Sequence, residues 1–224
     1  KTKPSLNNSR KLVVIFGVLG DFDSIEYGQI LAKNFDYLKQ NDINLIAFGI
    51  GNKASKKKFC TYTGFPLDNL EVLDDNKLHE KLNCYPGKNI KLGQLINLLI
   101  MCTGIGSPGT LKEVMRGYLG DHKSSQIFSN KDKIKFNLLP AIPASIFNFA
   151  GQDGFLRPFE LATLRLVNMF EVLGNWSTYM PNNLFLTQRG ATFIIDENNH
   201  ITYSYFSNAL LSYSSNMSKP LSFI

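Results

Sequence analysis

Residues 12–19, Leu12-Val13-Val14-Ile15-Phe16-Gly17-Val18-Leu19, form an almost unbroken apolar run. A run of this kind fits a strand buried on both faces of a sheet. It ends at Gly20-Asp21-Phe22-Asp23-Ser24, and a helical pattern follows in which Ile25, Ile30, Leu31, Phe35 and Leu38 recur. That spacing predicts one helix over residues 25–40, with Asp23 or Ser24 as its N-cap. A second β-rich run follows at 43–50, then a helix over 55–62, closed by Gly64 with Pro66 beyond. Residues 70–73 form a short third strand, 76–82 a third helix, and Pro86-Gly87 a turn. Strand and helix alternating in this way define an α/β domain whose first strands run parallel.

The pattern then changes. The most apolar stretch, Leu92 to Ile105, is broken by Gly93, Gln94 and Asn97 and is too short to cross a bilayer. It predicts a helix over 95–102, either buried or lying on a membrane surface or partner. A glycine-rich turn leads to a helix from Thr110, where Thr110 and Glu113 have capping-box spacing. Residues 124–135 read as a flexible loop and 139–143 as an extended, buried linker. Residues 158–173 form a strong helix, with Pro158 in its first turn and Gly174 past its end. Strand signals are few here, so about 88–185 reads as a helical insertion. Residues 190–195 and 200–206, separated by Asp196-Glu197-Asn198-Asn199, form a hairpin, and 209–217 a final short helix. Residues 1–10 read as a flexible tail, and 11–224 as one domain.

Composition narrows the chemistry. The chain has 224 residues, enough for one well-buried domain, and a net charge of +6. Its basic residues, such as Lys56-Lys57-Lys58, are not interleaved with aromatics in a stripe, and no nucleic-acid module is present, so nucleic acid is not expected as a partner. The three cysteines, Cys60, Cys84 and Cys102, are odd in number and lack Cys-x-x-Cys spacing. This argues against a disulfide-stapled domain and against a cysteine zinc site, and fits a reducing compartment. His79, His122 and His200 are far apart in sequence, and no metal is assigned. Gly104-Ile105-Gly106-Ser107-Pro108-Gly109 satisfies Gly-x-Gly-x-x-Gly, but Gln94 and Asn97 spoil the preceding run as a strand. These glycines are better read as a helix–helix connection, and no cofactor is assigned.

Several segments carry a family resemblance. Residues 53–66, Lys-Ala-Ser-Lys-Lys-Lys-Phe-Cys-Thr-Tyr-Thr-Gly-Phe-Pro, and 73–79, Leu-Asp-Asp-Asn-Lys-Leu-His, are similar to segments of the AhpC/TSA-like proteins related to selenoprotein U. Residues 188–196, Gln-Arg-Gly-Ala-Thr-Phe-Ile-Ile-Asp, resemble a late strand of the peroxiredoxins. Residues 104–110, 157–163 and 216–223 look like the cyanobacterial and plastid branch of peroxiredoxin-like proteins. The resemblance covers roughly residues 11–224. It implies a thioredoxin-like α/β fold, a three-layer sandwich of the peroxiredoxin type with a helical insertion. It also implies a cytoplasmic or plastid-stromal setting, with a thylakoid-peripheral one as a variant.

In that family a cysteine thiolate in the first turn of the first helix attacks the peroxide, helped by an arginine on a late strand and a nearby Thr or Ser. A helix N-terminus and a cation lower the thiol pKa. Here Arg189 matches the arginine. Aligning residues 21–26 on the peroxidatic loop puts Glu26 near the cysteine position and Asp23 or Ser24 near the Thr/Ser position, so the corner holds no cysteine. A carboxylate there would pair readily with Arg189. Cys60, beside Phe59 and Tyr62, is either a packed small side chain or a thiol activated by Lys56–Lys58 if exposed. Cys84 would lie at the surface after the third helix, and Cys102 in the apolar helix would be inert. Two functions are then expected: a thiol-dependent antioxidant oxidoreductase or peroxidase, or a non-catalytic module. The module would dock a protein partner, a second copy or a membrane surface through the Phe- and Leu-rich insertion.

Overall fold

The computed structural model describes residues 9–136 and 139–224. The expected tail over 1–10 lies, for residues 1–8, outside the described residues, and Arg10 already belongs to the first strand.

Strand β1 (Arg10–Val18) leads into α1 (Phe22–Lys33) and α2 (Phe35–Gln40), and then into β2 (Ile43–Ile50). Helix α3 (Lys53–Thr63), β3 (Leu70–Leu73) and α4 (Lys77–Lys81) follow. Next come α5 (Gln94–Cys102), α6 (Thr110–Leu119), β4 (Lys133–Phe136) and β5 (Leu139–Pro143). Helices α7 (Glu160–Gly174) and α8 (Trp176–Tyr179) lead to β6 (Ala191–Ile195) and β7 (Ile201–Phe206). The main sheet has the order β3-β2-β1-β6-β7. Strands β1, β2 and β3 are parallel; β6 runs antiparallel to β1, and β7 antiparallel to β6.

The two-residue period of β1 sorts its side chains between two layers. Leu12, Val14, Phe16 and Val18 enter the large core with Ile25 and Leu31 of α1 and Phe59 of α3. Val13 and Ile15 face the opposite layer, where Cys84, Phe193 and Leu78 of α4 pack. Cys84 is therefore buried rather than at the surface.

The caps explain several boundaries. In α3, Asn52 accepts from the Ala54 and Ser55 amides, Ser55 Oγ accepts in return from the Asn52 amide, and Gly64 ends the helix at φ 76°. The helix expected over 25–40 is two, broken at Asn34, whose backbone leaves the helical region (φ −103°, ψ 10°) and whose side-chain amide shares the Ile30 carbonyl with its own backbone amide. Its cap is Asp21, whose carboxylate accepts from the Ser24 amide at 2.7 Å, not Asp23 or Ser24. Likewise α6 starts from Gly109 at φ 97°, since the Thr110 hydroxyl is engaged with Ser107 and the Leu210 carbonyl.

Strands β4 and β5 pair as a ribbon where residues 124–135 were expected as loop and 139–143 as an extended linker. Pro140 and Pro143 lack amide donors and hide a short two-stranded ribbon from a strand search. Helix α7 starts after Phe159, which sits at φ 66°, so Pro158 precedes it. That start is held by Glu160, whose carboxylate accepts from the amides of Ile127, Phe128 and Arg157 and pairs with the buried Arg157 guanidinium at 3.0 Å. Residues 209–217 form no helix. The Leu210 and Leu211 amides donate to Ser107 Oγ and Asp23 Oδ1 at 2.7 and 2.5 Å, and these long-range bonds override the local apolar pattern.

Candidate functional site

The site is the corner where β1 becomes α1. Strand β6 runs antiparallel to β1 with Ala191 opposite Ile15, which brings Arg189 alongside the end of β1. The approach is close: a Cβ on Gly190 would collide with the Ile15 carbonyl, and one on Gly17 with Asp21 and the Gln188 carbonyl. Arg189 is fixed by donating from Nε to the Thr187 carbonyl at 2.9 Å and from Nη2 to the Leu186 carbonyl at 3.1 Å. Its Nη1 donates to Asp23 Oδ2 at 3.3 Å, and Asp21 Oδ2 lies 3.7 Å from Nη2. All three side chains are buried.

Two buried carboxylates thus share one guanidinium, and they cannot both be charged without cost. Burial pushes Asp23 up to about 7 against the pull of Arg189, with repulsion from Asp21 adding to the rise. Burial also raises Asp21, opposed by Arg189 and by the Ser24 amide. Ser24 is buried in the same turn.

Glu26 is drawn elsewhere. Arg165 of α7 donates to it from Nε at 2.7 Å and Nη2 at 3.1 Å, and the Tyr213 hydroxyl donates at 2.7 Å. Although burial acts to raise it, these partners hold the Glu26 carboxyl below its usual range. Glu26 therefore does not pair with Arg189. The first-turn side chains that face Arg189 are Asp21 and Asp23. The roles of Asp21, Arg165 and Tyr213 were not foreseen in the sequence; Asp21 could have been found by its capping spacing to Ser24, whereas Arg165 and Tyr213 meet Glu26 only through the fold.

None of the three thiols is activated by its surroundings. Cys60 is buried in α3, where desolvation pushes its thiol up to about 11 and Lys56 only partly opposes. Burial pushes Cys84 to the same value. Cys102, half-buried, is the thiol on the corner's side: the charges of Arg189 and Asp23 both reach it, yet desolvation still raises it. Cys102 lines a cavity of about 260 Å³ with Phe22, Val114, Leu166, Met169 and Leu211. The space directly beside Asp23, Arg189 and Tyr205 is small, about 20 Å³.

His79 is wholly buried, and its Nε2 donates to the Phe16 carbonyl at 2.7 Å; desolvation lowers its pKa. It braces β1 beneath the corner. Among the described residues no group of His, Cys, Asp and Glu has the arrangement of a metal site. The Gly104–Gly109 segment joins α5 to α6 with three glycines at positive φ, and no strand precedes it.

The sheet order, the helices on both faces and an arginine set against the first turn of the first helix define a thioredoxin-like fold of the peroxiredoxin type. The sequence model of the AhpC/TSA antioxidant enzyme family matches residues 30–208, and the chain belongs to that family. No curated protein and no solved structure matches it significantly.

Proposed function

We propose that this protein is a non-peroxidatic member of its family, a thioredoxin-fold module that docks a partner through its helical insertion. The observation that carries the reading is the buried Asp21–Asp23–Arg189 cluster. The cation that would stabilise a thiolate and orient a peroxide is already occupied by two carboxylates. A carboxylate at this helix N-terminus is electrostatically favourable, but it cannot take oxygen from a peroxide and be regenerated as a thiol is.

A second reading rests on Cys102. It is half-buried and lines a cavity, whereas Cys60 and Cys84 are buried, which favours it over Cys60 as the thiol of a thiol-dependent peroxidase. Hydrogen peroxide consumption with dithiothreitol or thioredoxin as reductant separates the two. The module reading expects no protein-dependent turnover. Turnover lost in Cys102→Ser, and kept in Cys60→Ser and Cys84→Ser, would establish the thiol reading instead.

A further inference from the structure

Helices α5 and α6 wear their apolar side chains on the outside. In α5, Asn97 and Met101 turn inward: Asn97 bonds the Ile90 amide and carbonyl, and Met101 is fully buried. Half a turn away, Leu95 and Leu99 are 55% and 58% exposed. In α6, Thr110, Glu113 and Gly117 face inward, while Leu111, Met115 and Tyr118 are each about half exposed at helical spacing. The two stripes are joined. The Leu111 side chain lies against Gly104, at the end of α5, and the Tyr118 ring meets Phe159 edge-on at 6.1 Å. Ile105, 56% exposed, lies in the connection between the helices. A contiguous apolar band of this extent on a folded domain marks an interaction surface.

Charge identifies what the surface meets. Lys91, Lys112 and Lys123 are exposed along the same segment. Between residues 88 and 123 the only carboxylates are Glu113 and Asp121, and Arg116 holds both, at 2.8 and 3.4 Å. An apolar stripe flanked by lysines, with no free carboxylate along it, matches the pattern of helices that lie in the interface of an anionic bilayer. A second copy suits this face poorly, because pairing like faces would set lysine against lysine with no carboxylate between them. No described helix is long and apolar enough to span a membrane, so the contact is peripheral.

We infer that the α5–α6 face docks the protein on an anionic lipid surface, with Leu95, Leu99 and Met115 entering the headgroup region and Lys91 and Lys112 held over lipid phosphates. This deepens the module reading by naming its partner, and it rests on that reading.

The test is flotation of the full chain with phosphatidylcholine vesicles and with vesicles containing phosphatidylglycerol, at low and high salt. The full chain should float with the anionic vesicles, less with neutral ones, and less at high salt. Lys91→Gln with Lys112→Gln should weaken binding about thirtyfold, from roughly 1 kcal/mol per lysine. Leu99→Asp should abolish it with an unchanged thermal melt, since the side chain is exposed. Failure of the chain to float with either vesicle, or equal flotation of Leu99→Asp, overturns the docking. A dimer that Leu99→Asp splits, without vesicle binding, overturns it in favour of a second copy, and salt-sensitive capture of an acidic protein without vesicle binding overturns it in favour of a protein partner. Peroxide consumption in the same samples keeps the two claims apart: flotation with turnover refutes the non-peroxidatic reading alone, and neither flotation nor turnover refutes the lipid alone.

Discussion

At the scale of residues, the corner is a problem in buried charge. Arg189 is the sole guanidinium facing Asp21 and Asp23 among the described residues, and its removal leaves two carboxylates in a closed, poorly solvated space. Arg189→Ala should therefore destabilise the fold by about 3–5 kcal/mol, measured by chemical denaturation, and adding Asp23→Asn should recover part of the loss. The pH dependence follows from the raised Asp23. Its folded pKa, about 7, lies above the ordinary 3.8, so the folded state holds the proton more tightly. The stabilisation this gives is complete below about pH 4 and is lost as the pH rises through about 7. Asp21 shifts the same way and titrates with Asp23 as a pair, whereas Glu26 is held low and contributes at acid pH in the opposite sense. Stability should thus fall between about pH 4 and 7 in the parent chain and stay flatter in Asp23→Asn, as read by denaturant midpoints at each pH. The residues were legible in the sequence only in part. The family resemblance places Arg189 beside the first turn of α1, but the sequence leaves Asp23 and Glu26 both open as its partner; in the structure Asp23 faces it. The assignment of Glu26 to the same pocket fails because Arg165 and Tyr213 are more than a hundred residues away in sequence, and nothing local announces them.

At the scale of elements, the apolar periodicity located the core strands and most helices, because a strand buried on both faces and a capped helix such as α3 carry their own signals. It failed where distant groups take the backbone bonds. Residues 209–217 have helical apolar spacing, yet Ser107, Thr110 and Asp23 bind the Leu210 and Leu211 backbone and hold that segment across the corner. Tyr213 ties the same segment to Glu26. Tyr213→Phe should cost about 1.5–3 kcal/mol, the loss of a hydrogen bond to a charged acceptor, measurable as a lowered denaturation midpoint. The pairing of β1 with β6 depends on Gly190, where any side chain strikes the Ile15 carbonyl. Gly190→Ala should lower the thermal midpoint by more than an exposed substitution such as Leu119→Ala, and it should displace Arg189 from the corner. The β4–β5 ribbon escaped notice for a different reason: its prolines remove the donors that a strand pattern presumes.

At the scale of the whole molecule, the family fold is kept while its reactive corner is filled with charge. The sheet brings Arg189 to the first turn of α1, as peroxide chemistry would require, but that turn presents carboxylates. The thiols lie in α3, after α4 and at the end of α5, each with a pKa raised by burial. The absence of cysteine from the corner could be read directly from the chain; that its cation is already paired could not, because it depends on β1–β6 register and on close glycine contacts. The central claim is that no peroxide-reactive thiolate forms here. The most direct measurement is stoichiometric treatment of the native protein with hydrogen peroxide at pH 7, followed by mass mapping of Cys60, Cys84 and Cys102 with a sulfenic-acid trap. The account predicts all three thiols unmodified on the time scale on which free thiols in solution also stay intact. Rapid, selective oxidation of Cys102, faster in the native than in the unfolded chain, would contradict it.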